Sequence, residues 1–219
     1  MALIGHPVTH SLSPRMQNAA FAARGLDWAY VALDVPPDRL EPAVAGLVAL
    51  GFVGANVTAP HKLAAAALIE TDLPSVNTLS VEEGRIVGTS TDPAILHGLP
   101  RERPVILGDG GAARAFQHVL PNARVCSRRG DWPPDVTGAD LVVNATSEQD
   151  DVLVELRPGQ TLIDLPYPDT ATAAAARAAG ATVVGGLEVL VSQGAASFES
   201  WTGVPAPLGV MRAALGLPA

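Results

Sequence analysis

Lysine is almost missing from this chain: thirteen of its fourteen Lys and Arg residues are arginine, and only Lys62 is an amine. Arginine stays protonated at any ordinary pH and cannot exchange a proton, whereas an ammonium group can be tuned towards neutrality by burial or neighbouring charges. A single lysine in an arginine-using chain suggests a position that needs an amine; a composition rich in Ala, Gly, Pro and Arg would also leave one by accident. Cysteine is likewise reduced to Cys126. That excludes an intramolecular disulfide and a cysteine-rich metal site, and it suits a reducing cytoplasm. Positive charge is not in excess: the formal net charge of −8 argues against nucleic acid and anionic membranes as partners. No basic segment precedes an apolar stretch near the start, so no secretory leader is expected. His6, His10 and the scattered carboxylates lack metal-ligand spacing, so no metal site is expected. The uncharged run from Pro42 to Pro60 is nearly long enough to cross a bilayer. Its glycines at 46, 51 and 54, and the change from helical to extended pattern at Gly51, read instead as a buried helix–turn–strand. Internal repeats and low-complexity linkers are absent too.

What is present is alternation. With 219 residues, 48% of them apolar, the chain can form one or two α/β domains with a real core. Helical and strand patterns follow one another from end to end, as in βα units around parallel sheets. Strands are expected at Ala2–Ile4, Trp28–Val35 and Gly54–Val57, then at Val76–Val81 and Arg85–Ser90 around a Glu82-Glu83-Gly84 hairpin. Helices are expected from Ser13 as N-cap with Pro14 at N1 to about Arg24, at Leu40–Leu50 before Gly51, and from Pro60 to about Ile69. A second unit begins near Pro104. Its expected strands are Val105–Leu107, Arg124–Cys126, Leu141–Asn144, Thr161–Asp164 and Thr182–Val184. Its helices start at Ala112 and span Thr170–Ala179, and the chain closes with helices over about Leu187–Glu199 and Leu208–Leu215.

Val105-Ile106-Leu107 runs into Gly108-Asp109-Gly110-Gly111 and then the helix from Ala112. A strand, a glycine turn and a helix N-terminus let a backbone approach a phosphate and aim free amides at it; packing alone also makes α/β turns glycine-rich. About twenty residues on, where an NAD-binding fold places an acidic residue for the ribose, the chain reads Ser127-Arg128-Arg129. Two guanidinium groups there favour a 2′-phosphate, hence NADP; a solvated surface pair is the plainer alternative. Asp109 within the loop would repel a pyrophosphate unless it points away.

Four further motifs occur in order: Ser11-Leu12-Ser13-Pro14, Asn56-Val57-Thr58-Ala59-Pro60-His61-Lys62, Val76-Asn77-Thr78 and Thr91-Asp92. After the glycine loop come Gly185-Gly186-Leu187-Glu188-Val189-Leu190-Val191-Ser192-Gln193-Gly194 and Trp201-Thr202-Gly203. In this order they resemble the shikimate dehydrogenase family over nearly the whole chain. The resemblance implies a two-lobed α/β protein. Its substrate-binding domain would span 1–97, completed by helices in 191–219, and a Rossmann-like NADP-binding domain would span 98–190, with a cleft between. It implies reversible NADPH-dependent reduction of 3-dehydroshikimate to shikimate, a step of aromatic amino acid biosynthesis, by a cytoplasmic enzyme with room for a homodimer. Lys62 and Asp92 would be the catalytic pair. Ser11 and Ser13 would bind the carboxylate; Thr58, Asn77 and Gln193 the ring oxygens; Tyr167 would lie near the substrate. Gly108, Gly110, Gly111, Ala112, Ser127, Arg128, Arg129 and Gly186 would bind the cofactor.

Plainer roles stand beside these. Ser13 and Asp92 read as helix caps, Thr58 as a cap of the Pro60 helix, Asn77 and Gln193 as half-buried polar residues, and His61 as structural. The alternative functions are a quinate or related polyol-carboxylate dehydrogenase, or a paralogue that binds ligand without turning it over. Departures from the family pattern gather in the nucleotide half. Pro93-Ala94-Ile95 follows Thr91-Asp92, Ser127-Arg128-Arg129 stands for Asn-Arg-Thr, Gly130 to Gly138 reads as a loop where a helix is usual, and Ser147-Glu148-Gln149 follows Asn144-Ala145-Thr146. The segment from Lys62 to Asn77 is also short.

Overall fold

A computed structural model describes residues 1–218. The chain divides into two compact units, Met1–Ala94 together with the chain from Val191 on, and Ile95–Leu190.

The first unit is built on a five-stranded sheet in the order β2-β1-β3-β4-β5. Its strands are β1 (Ala2–Gly5), β2 (Val31–Asp34), β3 (Gly54–Val57), β4 (Thr78–Glu82) and β5 (Arg85–Thr89). The first three are parallel, and β4 and β5 add antiparallel. Every residue of β1 and β3 is buried, as in strands covered on both faces. Helices α1 (Ser13–Ala23), α2 (Leu40–Ala49) and α3 (Lys62–Ala67) connect these strands, and α2 supplies Leu40, Val44 and Leu47 to the core. Glu83 (φ 50°) and Gly84 (φ 77°) both take the left-handed region that a two-residue hairpin turn of the right twist needs. The uncharged run after Pro42 is thus α2, a turn and β3. Among the described residues no helix is long and apolar enough to cross a membrane.

Several boundaries differ from the sequence reading; strand β4, for one, starts at Thr78 rather than Val76. The N-cap of α1 is Leu12, without a side-chain hydrogen bond, and Ser13 is the first helical residue. Helix α3 begins at Lys62 with His61 as N-cap, two residues after Pro60, so Thr58 does not cap it. Strand β2 starts only at Val31. Cap rules identify the residue types that suit a helix start, but backbone path selects among neighbouring candidates.

The second unit carries five parallel strands in the order β10-β9-β8-β6-β7. They are β6 (Pro104–Leu107), β7 (Arg124–Cys126), β8 (Leu141–Asn144), β9 (Thr161–Asp164) and β10 (Thr182–Val184). Helix α4 (Gly111–Val119) joins β6 to β7 and α5 (Ala171–Ala178) joins β9 to β10, while the β7–β8 and β8–β9 connections contain no helix. Chain direction across the sheet reverses between β6 and β8, so their C-terminal ends flank the switch point where open α/β sheets bind ligands. Two last helices, α6 (Gly186–Thr202) and α7 (Leu208–Ala214), follow.

Candidate active site

Lys62 follows the C-terminal end of β3 and opens α3, and its neighbour His61 fixes that start. The His61 ring is buried, with Nε2 2.6 Å from the carbonyl oxygen of Val35. It is structural here, as the sequence suggested. Lys62 Nζ donates to Asp92 Oδ2 at 2.5 Å, with the two side chains only 14% and 7% exposed. The other carboxylate oxygen, Oδ1, accepts from Asn77 Nδ2 at 2.8 Å. Asn77 is oriented in turn, because its Oδ1 accepts from the backbone N–H of Thr91 at 2.7 Å. Its amide also lies 3.4 Å from Gln193 Oε1, 116 residues further along the chain. Four of the expected site residues, Lys62, Asn77, Asp92 and Gln193, therefore form one cluster. Asp92 does open a short 3₁₀ turn, but its carboxylate is engaged by an ammonium and an amide.

Beneath this cluster lies a buried polar scaffold that sequence reasoning left unassigned. Asn56 on β3 accepts from Tyr30 Oη at 2.7 Å and its amide donates to Ser197 Oγ at 2.9 Å, the Asn77 carbonyl at 3.0 Å and Thr78 Oγ1 at 3.1 Å. Ser197 Oγ lies 2.8 Å from Thr78 Oγ1 and 3.1 Å from Thr91 Oγ1. Ser197 stands four residues after Gln193 on α6, on the same helix face; that spacing was the available signal. The scaffold ties β3, β4 and α6 together. Trp201 reinforces it by donating Nε1 to the Leu79 carbonyl at 3.0 Å.

Ser11, Ser13 and Thr58 lie where the chain leaves parallel strands. Ser11 Oγ accepts from the Ser13 backbone N–H at 3.2 Å, and Ser13 is buried. Thr58, directly after β3, donates its N–H to the Ile4 carbonyl at 2.8 Å. A side chain at Gly5 would collide with the Thr58 methyl, so the exits of β1 and β3 are packed side by side.

In the second unit, Gly108 follows β6 with φ +112°, and a Cβ there would stand 3.0 Å from the Ala145 carbonyl after β8. Only glycine satisfies both conditions. Gly110 is the N-cap of α4, and a Cβ there would meet nothing within 4 Å. The turn thus offers the amides of Gly111 and Ala112 at the start of a nine-residue helix. These features fit a dinucleotide phosphate. Asp109 does point towards a cation, with Oδ2 3.5 Å from Arg129 Nη1. Ser127 Oγ accepts from the Arg129 N–H at 3.3 Å and shapes the turn after β7. Arg128 Nη2 donates to Glu148 Oε2 at 3.1 Å.

Asp164 at the end of β9 is fully buried, accepting from Asn144 Nδ2 at 2.7 Å and Thr170 Oγ1 at 2.9 Å. It joins the ends of β8 and β9 to the start of α5. Tyr167 is half-buried on the loop after β9. A Cβ at Gly186 would collide with the Pro166 carbonyl, which is a packing reason for glycine there in addition to the expected cofactor role. No cluster of three or more His, Cys, Asp or Glu suited to a metal occurs among the described residues.

Residues 3–79 match the shikimate dehydrogenase substrate-binding domain and residues 186–215 the shikimate 5′-dehydrogenase C-terminal domain. Shikimate dehydrogenase (NADP(+)) of Anaeromyxobacter sp. (strain Fw109-5) is 41% identical over 99% of this chain and 95% of its own. The chain belongs to the shikimate dehydrogenase family. Among solved structures, shikimate 5-dehydrogenase from Thermus thermophilus, in complex with NADP(H) and shikimate, has a TM-score of 0.85 and 32% identity, covering 97% of each chain. The Aquifex aeolicus shikimate dehydrogenase has a TM-score of 0.87 at 28% identity, covering 98% of this chain and 96% of its own.

Within the family this member is short. Its alignment with the Anaeromyxobacter enzyme extends over 265 positions against a chain of 219 residues. Dozens of positions in the relative therefore have no counterpart here. The helix-free β7–β8 and β8–β9 connections accord with that trimming.

Proposed function

We propose that this shikimate dehydrogenase family member catalyses the reversible NADPH-dependent reduction of 3-dehydroshikimate to shikimate. The observation that carries the reading is the largely buried Lys62–Asp92 pair, with Asn77 holding the second oxygen of the carboxylate. The family relatives support it, being named NADP(+)-dependent shikimate dehydrogenases. The unit beginning at Met1 takes the substrate and Ile95–Leu190 takes the nucleotide, in the cytoplasm that the single cysteine suits.

NADPH, when bound, supplies the hydride. Lys62 Nζ gives a proton to the ketone oxygen as charge builds there, and takes it back in the reverse direction. Asp92 Oδ2 holds that ammonium in place and accepts from a substrate hydroxyl. Ser11 and Ser13 hold the substrate carboxylate through their hydroxyls. Thr58, Asn77 and Gln193 orient the ring oxygens, and in the Ile95–Leu190 unit Tyr167 and the Gly186 backbone would border the nicotinamide end of the cofactor. Gly108, Gly110, Gly111 and Ala112 would hold the phosphates, and Ser127, Arg128 and Arg129 would hold the ribose and its 2′-phosphate.

Titrating NADPH and NADH separately into the purified protein and then adding 3-dehydroshikimate, with nicotinamide absorbance followed, tests the reading directly. Absence of turnover with either cofactor would overturn it. Arg128→Ala should raise the KM for NADPH and leave NADH nearly unchanged, because a charge-assisted hydrogen bond contributes on the order of 1.5–3 kcal/mol. The loss should fall near the lower end, since Glu148 shares the guanidinium. Equal losses with both cofactors would mean that Arg128 does not read the 2′-phosphate.

A further inference from the structure

The guanidinium expected to meet a 2′-phosphate already holds an anion. Glu148 Oε2 lies 3.1 Å from Arg128 Nη2, on side chains 25% and 64% exposed. Arg128 is further steadied over the Trp132 ring, 5.8 Å from its centroid. Glu148 is held from the other side by the loop after β8. Its N–H donates to Thr146 Oγ1 at 3.3 Å, and that hydroxyl donates to the buried Asn144 Oδ1 at 2.7 Å. Its second carboxylate oxygen accepts from the Asp150 N–H at 3.3 Å. The Asp150 amide, then the Asp151 amide and Arg128, outweigh partial desolvation and hold the Glu148 carboxyl below its usual range. The side chain is therefore an anion at neutral pH.

We propose that Glu148 is a specificity-determining residue of the nucleotide site: its carboxylate competes with a ribose 2′-phosphate for the Arg128 guanidinium and narrows the preference for NADPH over NADH. The inference rests on the reading of the Ile95–Leu190 unit as the NADP-binding unit. A phosphomonoester carries a charge between about −1.5 and −2 at pH 7. It must either displace Glu148 from Arg128 or share the guanidinium with a like charge a few ångströms away. Both penalise the phosphorylated ligand, and neither touches one that lacks the phosphate. The Arg128–Glu148 pair is partly exposed, so the effect is moderate, about three- to tenfold in affinity.

The test is calorimetric titration of the 219-residue protein with 2′,5′-ADP and with ADP. Glu148→Gln keeps the shape of the side chain and an acceptor for the Asp150 amide while removing the charge. The Kd for 2′,5′-ADP should fall about three- to tenfold and that for ADP should stay within about twofold. Glu148→Lys should tighten 2′,5′-ADP further. An unchanged Kd for 2′,5′-ADP in both variants, or equal shifts for the two ligands, would overturn the role of Glu148 while the wild-type binding still supports a nucleotide site. If wild type and variants bind neither ligand, the nucleotide reading fails first and takes this proposal with it.

Discussion

Lys62→Ala should lower kcat by roughly the 10²–10⁴-fold typical of a lost general acid–base group, with a much smaller change in KM for 3-dehydroshikimate. Ser11, Ser13 and Gln193 would still hold the substrate. Because Lys62 Nζ occupies Asp92 Oδ2 at 2.5 Å in a site where both side chains are largely buried, removing the ammonium also leaves a carboxylate without its counter-ion. Some of the loss will therefore come from a displaced Asp92. Lys62→Arg separates charge from proton transfer. Arginine keeps the positive charge and can pair with Asp92, but it does not release a proton at working pH. If Lys62 supplied charge alone, the arginine variant should recover a large share of the rate. If it transfers the proton, the variant should be nearly as slow as alanine, and the solvent isotope effect and pH–rate profile should lose the signature of a proton in flight. Near wild-type turnover by Lys62→Ala would remove this residue from the mechanism.

Asn56→Ala should destabilise the unit that begins at Met1 by about 3–4 kcal/mol, through lost buried hydrogen bonds and the cavity left behind. Tyr30 Oη loses its 2.7 Å acceptor, and the 2.9 Å bond to Ser197 on α6 is lost with it. Thr78 and Ser197 retain each other at 2.8 Å, which limits the damage. For a chain of this size the thermal midpoint should fall by roughly 6–16 °C, as followed by calorimetry. Tyr30→Phe alone should cost less. The double variant should be less destabilised than the sum of the two, because both changes break the same bond. A midpoint within about 2 °C of wild type would show that the scaffold does not hold α6 to the sheet.

The two predictions differ in how far the sequence alone could reach them. Lys62 is visible as the only amine side chain, and the alternation of patterns is enough to place most strands within a residue or two. Gly54–Val57 and Leu141–Asn144 stand at their expected bounds. The loop in place of a helix after Arg129 is also legible, from a stretch of Pro, Gly and Asp with no apolar period. Ser13 is not the cap it resembles because Ser-Pro is a helix-start signal without a phase: backbone dihedrals put Leu12 at the cap. Asn56 and Ser197 are unreadable as partners, since 141 residues separate them.

By itself the sequence determined the βα alternation, the glycine turn after β6, the single amine at Lys62 and the charge pair at 128–129, because period, turn chemistry and residue type are local properties. Tertiary structure decided which groups those residues meet. It brought Asp92, which the family resemblance already pairs with Lys62, to 2.5 Å from the ammonium, and it alone placed Asn77 on the other oxygen of that carboxylate, Ser197 on Thr78, and Glu148 against Arg128. A hydrogen bond depends on two positions within about 3 Å, and chain spacing does not fix that distance once strands and helices have folded back on one another. That is why the lysine proposed as proton donor could be singled out from composition, while the carboxylate opposing Arg128 appeared only in three dimensions.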